Sequence, residues 1–214
     1  MSSRTSKREK RASDVGVVFE TRARADGYRL IAGLDEVGRG ALAGPVVAAA
    51  VILDPEAPLP FGLDDSKKLS ASERERIACE LRQTILAYSF GVIAPEEIDR
   101  INILQATRRA MLAALESLSL QPDYLLIDAL QLRETTLPQQ AIIRGDAISA
   151  SIAAASVIAK TYRDGLMREY DTAYPQYGFA RHVGYGTRVH LAAIAAHGAC
   201  PIHRRSFRGV LPAV

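Results

Sequence analysis

The sequence predicts an α/β fold, a central β-sheet flanked by helices and followed by a helical C-terminal extension. Short runs dense in Val, Ile, Leu and Ala alternate with stretches whose apolar residues recur at helical spacing. With 214 residues, 48% of them hydrophobic, the chain can bury one substantial core. Beyond residue 176 the pattern changes to a Gly-rich loop, one further helix and a Pro- and Arg-rich end.

Taken in order, residues 28–37 (YRLIAGLDEV) and 45–54 (PVVAAAVILD) read as buried strands, although Pro45 could instead open a helix. Residues 70–86 form a helix with Ser70 and Glu73 at capping-box distance and Ile77, Leu81 and Ile85 on one face. A third strand covers 87–94, and Pro95 opens a short helix. Residues 102–118 are amphipathic, with Leu104, Met111 and Leu115 on the apolar stripe. Strands follow at 122–130 and 140–146, then a long helix of small residues over 147–174, suited to close packing on a sheet. Residues 1–25 are expected to be a disordered basic tail, 26–175 the main domain, and 176–214 an extension packed on it. Strand order cannot be read from these patterns.

Composition excludes several classes. The N-terminus is basic and lacks an apolar core, so it does not read as a secretory signal. No uninterrupted apolar run approaches the roughly 18 residues that suggest a membrane span. Cys79 and Cys200 are far apart and outside any Cys-x-x-Cys pair, which argues against a disulfide framework and for a reducing, cytoplasmic setting. The net charge of +3 conceals a segregation: residues 1–25 carry +4, residues 172–214 carry +5 with all four His, and the middle carries −6. An acidic middle can host cations and basic arms can meet phosphates, although charged runs are commonly just solvated surface.

Chemistry concentrates in carboxylates at strand ends. Asp35 and Glu36 are adjacent, so an ideal strand would aim them at opposite faces, but a strand end or bulge can bring both to one ion. Asp128 closes an apolar strand, as a turn residue or a ligand, and Asp146 stands where a helix cap or a ligand would. Converging at one sheet edge, the four would suit hard divalent cations. Two such ions about 3.5–4 Å apart can activate a water and stabilise a leaving oxygen at a phosphodiester.

Eight blocks, AGLDEVGRG, AGPVVAAAVIL, DDSKKLS, PEEIDRINILQAT, PDYLLIDA, RGD, SIAAASVIAK and CPIHRRSF, occur in the order in which they resemble bacterial ribonuclease HII, from about Ile31 to Phe207. The resemblance implies a ribonuclease H-like fold with a mixed sheet, and Asp35, Glu36, Asp128 and Asp146 as ligands of Mg²⁺ or Mn²⁺. It implies hydrolysis of RNA in RNA–DNA hybrids and nicking on the 5′ side of a ribonucleotide embedded in duplex DNA, leaving 3′-hydroxyl and 5′-phosphate ends. Gly38, Arg39 and Gly40 are similar to that family's sensor of the ribose 2′-hydroxyl, and Tyr185 to a tyrosine that stacks on the adjacent deoxyribose. A glycine lets the backbone approach a sugar, and an arginine fork suits a phosphate.

Lys67, Lys68, Lys160 and Arg163 are further candidates for substrate contact, against an ordinary surface role for the first two and pairing with Asp164 or Glu169 for the others. His203, Arg204 and Arg205 could grip phosphates or pair with the acidic middle. Ala41, Ala147, Ile148 and Val183 depart from the family's usual proline, serine, lysine and lysine. The protein is expected to act as a monomer, and the sequence names no partner at the replication machinery. A rival reading takes Gly38–Ala43 as a dinucleotide fingerprint with Asp54 or Glu56 on a ribose; it requires a helix at residue 45 and places a pyrophosphate beside Asp35 and Glu36.

Overall fold

The computed structural model describes residues 14–211. Its centre is a five-stranded sheet built from β1 (Ile31–Val37), β2 (Val46–Ile52), β3 (Ala87–Ile93), β4 (Tyr124–Asp128) and β5 (Gln139–Ile142), in the order β3-β2-β1-β4-β5. The first three strands form an antiparallel meander, while β4 and β5 run parallel to β1, so the sheet is mixed. Residue 45 therefore leads into a strand, and the helix required by a dinucleotide fingerprint is not there. Two connections from strand to parallel strand bring the carboxyl ends of β1 and β4 side by side. In their register Leu34 faces Ile127, and the next residues along are Asp35 and Asp128.

Helices α3 (Pro95–Ile101) and α4 (Ile103–Glu116) cover one face, and α2 (Ala71–Thr84) and α5 (Ala150–Ala173) the other. Ser70 and Glu73 close the capping box at the head of α2. Between α3 and α4, Asn102 takes a left-handed backbone at φ 68°, and its side chain accepts from the amides of Leu104 and Gln105. The buried face of α4 is mostly small: Ala106, Ala110 and Ala114 with Met111, whereas Leu104 is 41% exposed. Of the expected stripe, Met111 and Leu115 are buried and Leu104 is not, and the alanines let the helix sit close enough to β3 for the Ala110 carbonyl to fill the place of a Gly91 side chain.

The long α5 is equally close to the sheet. A Cβ on Gly33 would fall 2.2 Å from the carbonyl carbon of Ser151. Its start differs from the expectation: Gly145–Ala147 form a short 3-10 turn, and Ser149, accepting from the Ile152 amide, caps α5.

The expected disorder of residues 1–25 fails for α1 (Val18–Ala25); residues 1–13 lie outside the described part. The helix is fastened by buried Glu20, which accepts from the Ser149 hydroxyl and from the amide and hydroxyl of Ser151. A buried carboxylate at the head of a long helix meets unpaired amides and a favourable dipole. In the sequence Glu20 is one charge in a basic stretch, so nothing local marks it as an anchor. The C-terminal residues form α6 (Phe179–His182), α7 (Arg188–His197) and ordered loops around Tyr177, Phe179, Ile194 and Ile202.

Candidate active site

Asp35, 3% exposed, lies on the face of β1 turned toward α5, beside the Ser156 side chain, whose influence favours its charged form. Burial, the neighbouring Glu36 and then Asp128 hold its carboxyl well above the usual carboxylate range. Glu36 is raised as well, by burial first, with Arg39 acting against it through a 3.2 Å ion pair. Asp128 ends β4 and accepts from the Gly145 amide at 2.7 Å, while burial and then Asp146 raise its carboxyl. Asp146 is buried in the 3-10 turn, and its Oδ2 accepts from Lys67 Nζ at 2.8 Å. It is not a helix cap, the second role open to it from sequence.

Lys67 is the second cation in direct contact with this cluster, beside Arg39. Burial pulls its ammonium down, but the hydrogen bond and charge of Asp146, followed by the charges of Asp35 and Asp65, more than offset that and raise it. Four carboxylates, three with their charged forms disfavoured, are thus met by one lysine and one arginine. Such a set gains from an added cation, and its donors are all oxygen, which fits a hard divalent ion. Among the described residues no three Asp, Glu, His or Cys side chains form a ready-made metal site. Glu36 engages Arg39, Asp128 an amide and Asp146 Lys67 through one oxygen each, which leaves the second carboxylate oxygen of each for an ion.

The Gly38–Gly40 loop adjoins the cluster through the Arg39–Glu36 pair. Its two glycines differ. Gly38 is buried at φ 90°, and a Cβ there would sit 2.3 Å from Arg163 Nε, so this glycine answers to the protein beneath it. Gly40 is exposed, and a Cβ there would meet only the Tyr185 ring, at 3.9 Å. Tyr185 is 37% exposed and bridges in β fashion to Ala41, so its ring borders the open side of the loop.

The remaining candidates divide. Lys68 is half-exposed and pairs with Asp64 at 2.8 Å. Lys160 is bound to Asp164, the intrahelical alternative open from sequence. Arg163 is corrected: it is fully buried and donates to the carbonyls of Ala43, Pro45 and Val183, so it cannot touch substrate directly. Arg204 is likewise fully buried on carbonyls, and buried His203 is held below the ordinary histidine range by burial. Arg205 and Ser206 give their backbone amides to Asp99 on α3, a hydrogen-bonded contact with the acidic middle in place of the salt bridge open from sequence. Helical spacing placed Arg163 on the right helix but could not show that two loops close over it.

Three histidines and a cysteine that are scattered in sequence also meet. Cys200 donates its amide to His203 Nδ1, which leaves His203 Nε2–H to donate to His190 Nε2 at 3.0 Å. His190 Nδ1–H in turn donates to the Tyr185 carbonyl at 2.9 Å. His182 takes the Gly184 amide on Nδ1 and donates to the Tyr177 carbonyl. Each ring thus has a fixed tautomer in its neutral form.

An acidic cluster at the carboxyl edge of a mixed sheet, with helices on both faces, defines the class: a nuclease of the ribonuclease H fold. The chain is similar to the crystal structure of ribonuclease H2 from Pyrococcus horikoshii, with TM-score 0.71 and 26% identity over 85% of this chain and 95% of that one. It is similar to the same degree, 0.71, to the ribonuclease HII in the PCNA:RNase HII complex from Archaeoglobus fulgidus, at 27% identity over 82% and 92%. The family model for ribonuclease HII matches residues 32–210. Ribonuclease HII of Geobacter sulfurreducens is 57% identical over 90% of this chain and 88% of its own length, and that of Desulfitobacterium hafniense 56% over 86% and 71%. The chain belongs to the ribonuclease HII family. It is an endoribonuclease acting on RNA–DNA hybrids and on ribonucleotides embedded in DNA.

Proposed function

We propose that Asp35, Glu36, Asp128 and Asp146 hold the Mg²⁺ or Mn²⁺ on which cleavage depends, and that Gly38, Arg39, Gly40 and Tyr185 read the sugar at the cut. When bound, such ions supply positive charge at the scissile phosphate and lower the pKa of an attacking water. Asp35, buried against Ser156, and Asp128, held by the Gly145 amide, provide fixed oxygens. The Arg39 side chain, half-exposed and within reach of Glu36, places a planar donor fork for the phosphate beside the acids. Lys67 and Lys68 add point charges for the same backbone.

Sugar reading needs close approach and hydrogen bonding, since the 2′-hydroxyl distinguishes RNA from DNA. Exposed Gly40 allows that approach, and the Tyr185 face suits a sugar lacking the hydroxyl. The 2′-hydroxyl serves recognition in this reading and is not the nucleophile. The protein acts as a monomer in the cytoplasm, and among the described residues no helix is long and apolar enough to cross a membrane. The single observation that carries the reading is the Arg39–Glu36 contact, which couples the sugar-reading loop to the carboxylate cluster.

The test is a duplex DNA with one ribonucleotide, incubated with Mg²⁺ or Mn²⁺ and then with chelator. A metal-dependent nick 5′ of the ribonucleotide, leaving 3′-hydroxyl and 5′-phosphate ends, is expected. Cleavage that survives chelation would overturn the metal role.

A further inference from the structure

Two arginines lie buried beneath the loops just described, and their partners are main-chain carbonyls rather than carboxylates. Arg163, on α5, donates from Nε to Pro45 at 2.9 Å, from Nη1 to Val183 at 2.9 Å and from Nη2 to Ala43 at 3.1 Å. Arg204 donates from Nε to Gly44 at 3.0 Å and from Nη1 to Arg39 at 2.9 Å; its Nη2 is buried with no partner among the described residues. Burying a guanidinium is costly, and burial pulls both groups below the ordinary arginine range.

What the arginines secure is a composite surface. The Leu42 amide donates to the Gly184 carbonyl at 2.8 Å, the Arg204 amide to the Leu42 carbonyl, and Ala43 bridges to His203. Gly184 packs so tightly that a Cβ would lie 2.4 Å from the Ala43 carbonyl oxygen. Val183, a β-branched residue, is held at φ 43° with its carbonyl on Arg163, a conformation that needs outside support. Three segments from distant parts of the chain are thus locked to one another around two cations.

One bond has a directional consequence. The peptide group is planar and trans, so the Gly40 N–H points opposite to the Arg39 carbonyl. Arg204 Nη1 draws that carbonyl inward, which turns the Gly40 N–H outward, on the exposed side of the loop next to Tyr185. We propose that Arg204 is a positioning residue for ribose selection, holding the Arg39–Gly40 peptide with its N–H aimed at the 2′-oxygen, with Arg163 bracing the loop from below. This rests on the reading of Gly38, Arg39 and Gly40 as the sugar sensor.

The experiment measures kcat/KM on two duplexes that differ at one embedded nucleotide, 2′-hydroxyl in one and 2′-fluoro in the other, for the intact protein and Arg204→Lys. Lysine keeps the charge but cannot hold the Arg39 and Gly44 carbonyls with one planar fork. The preference for hydroxyl over fluorine is expected to fall about tenfold, the worth of one well-placed hydrogen bond, with Mn²⁺ affinity by calorimetry unchanged. Because the preference is a ratio, partial unfolding of the variant cancels from it. If Arg204→Lys does not fold, Arg204→Gln, with less charge to bury, is read in the same way. An unaltered preference in a folded variant overturns the proposal. A wild-type protein with no preference overturns the sugar-sensor reading itself.

Discussion

Asp35, Glu36 and Asp128 are each costly to ionise, and Asp35 most clearly so. It is buried and faces Glu36 and Asp128, so its folded pKa lies above the unfolded value of about 3.9. A carboxyl shifted upward costs stability once ionised: the folded state is penalised at neutral pH, and the penalty disappears below about pH 4, where the group is protonated in both states. Asp35→Asn should therefore raise the melting temperature of the metal-free protein at neutral pH, with the gain vanishing toward pH 4. The same variant should lose about 10²-fold or more in cleavage rate, in keeping with the loss of one charge-stabilising group. Thermal melts in chelator and a nicking assay read both. An Asp35→Asn protein with full turnover would place catalysis elsewhere. Of the residues named from sequence, the acids could be recognised by type and by their place at strand ends. The role of Arg163 could not, because solvent access depends on loops contributed by residues 38–45 and 182–186.

Close contact between sheet and helices is what brings those strand ends into position. Gly33 on β1 lies directly under the backbone of Ser151, with the place of its Cβ already taken. A side chain there must push α5 away from the sheet, and α5 carries both Ser156, which faces Asp35, and Arg163. Gly33→Ala is expected to destabilise the protein by about 3 kcal/mol, at the upper end for overpacking because the obstacle is backbone. Denaturant unfolding would show it, and a loss under about 0.5 kcal/mol would mean that the helix can shift freely. Small-residue helices were legible as close-packing elements; which strand each would press on was not. Likewise α1 was unreadable, since its anchor Glu20 finds Ser149 and Ser151 about 130 positions away.

At the scale of the whole molecule, the C-terminal extension is organised around its own buried polar network, which ends at the Tyr185 carbonyl. Burial holds His190 at a pKa of about 4, against about 6.5 in an unfolded chain. Since the folded state resists the proton, this group's contribution is complete above about pH 6.5 and is lost as the pH falls toward 4. Comparing wild type with His190→Gln cancels the opposite trend of the carboxylates, which both proteins share. The stability advantage of the wild type should shrink between pH 7 and 5 in thermal melts. A constant difference would show that His190 is already protonated or does not pair as described. Sequence spacing gave no sign of this meeting of His182, His190, His203 and Cys200.

The sequence by itself determined the alternation of strands and helices, the capping of α2, the acidic residues at strand ends and, through its ordered blocks, the family. These depend on local periodicity and residue type, which the chain carries at short range. Only the tertiary structure decided the strand order, the packing of α1, and the division of basic residues into those that can meet a substrate and those that brace loops from within. Burial and hydrogen-bond pairing are properties of surfaces brought together from distant segments: Arg39 and Arg204 are both arginines in basic surroundings, yet one is solvated beside Glu36 and the other lies under its carbonyl.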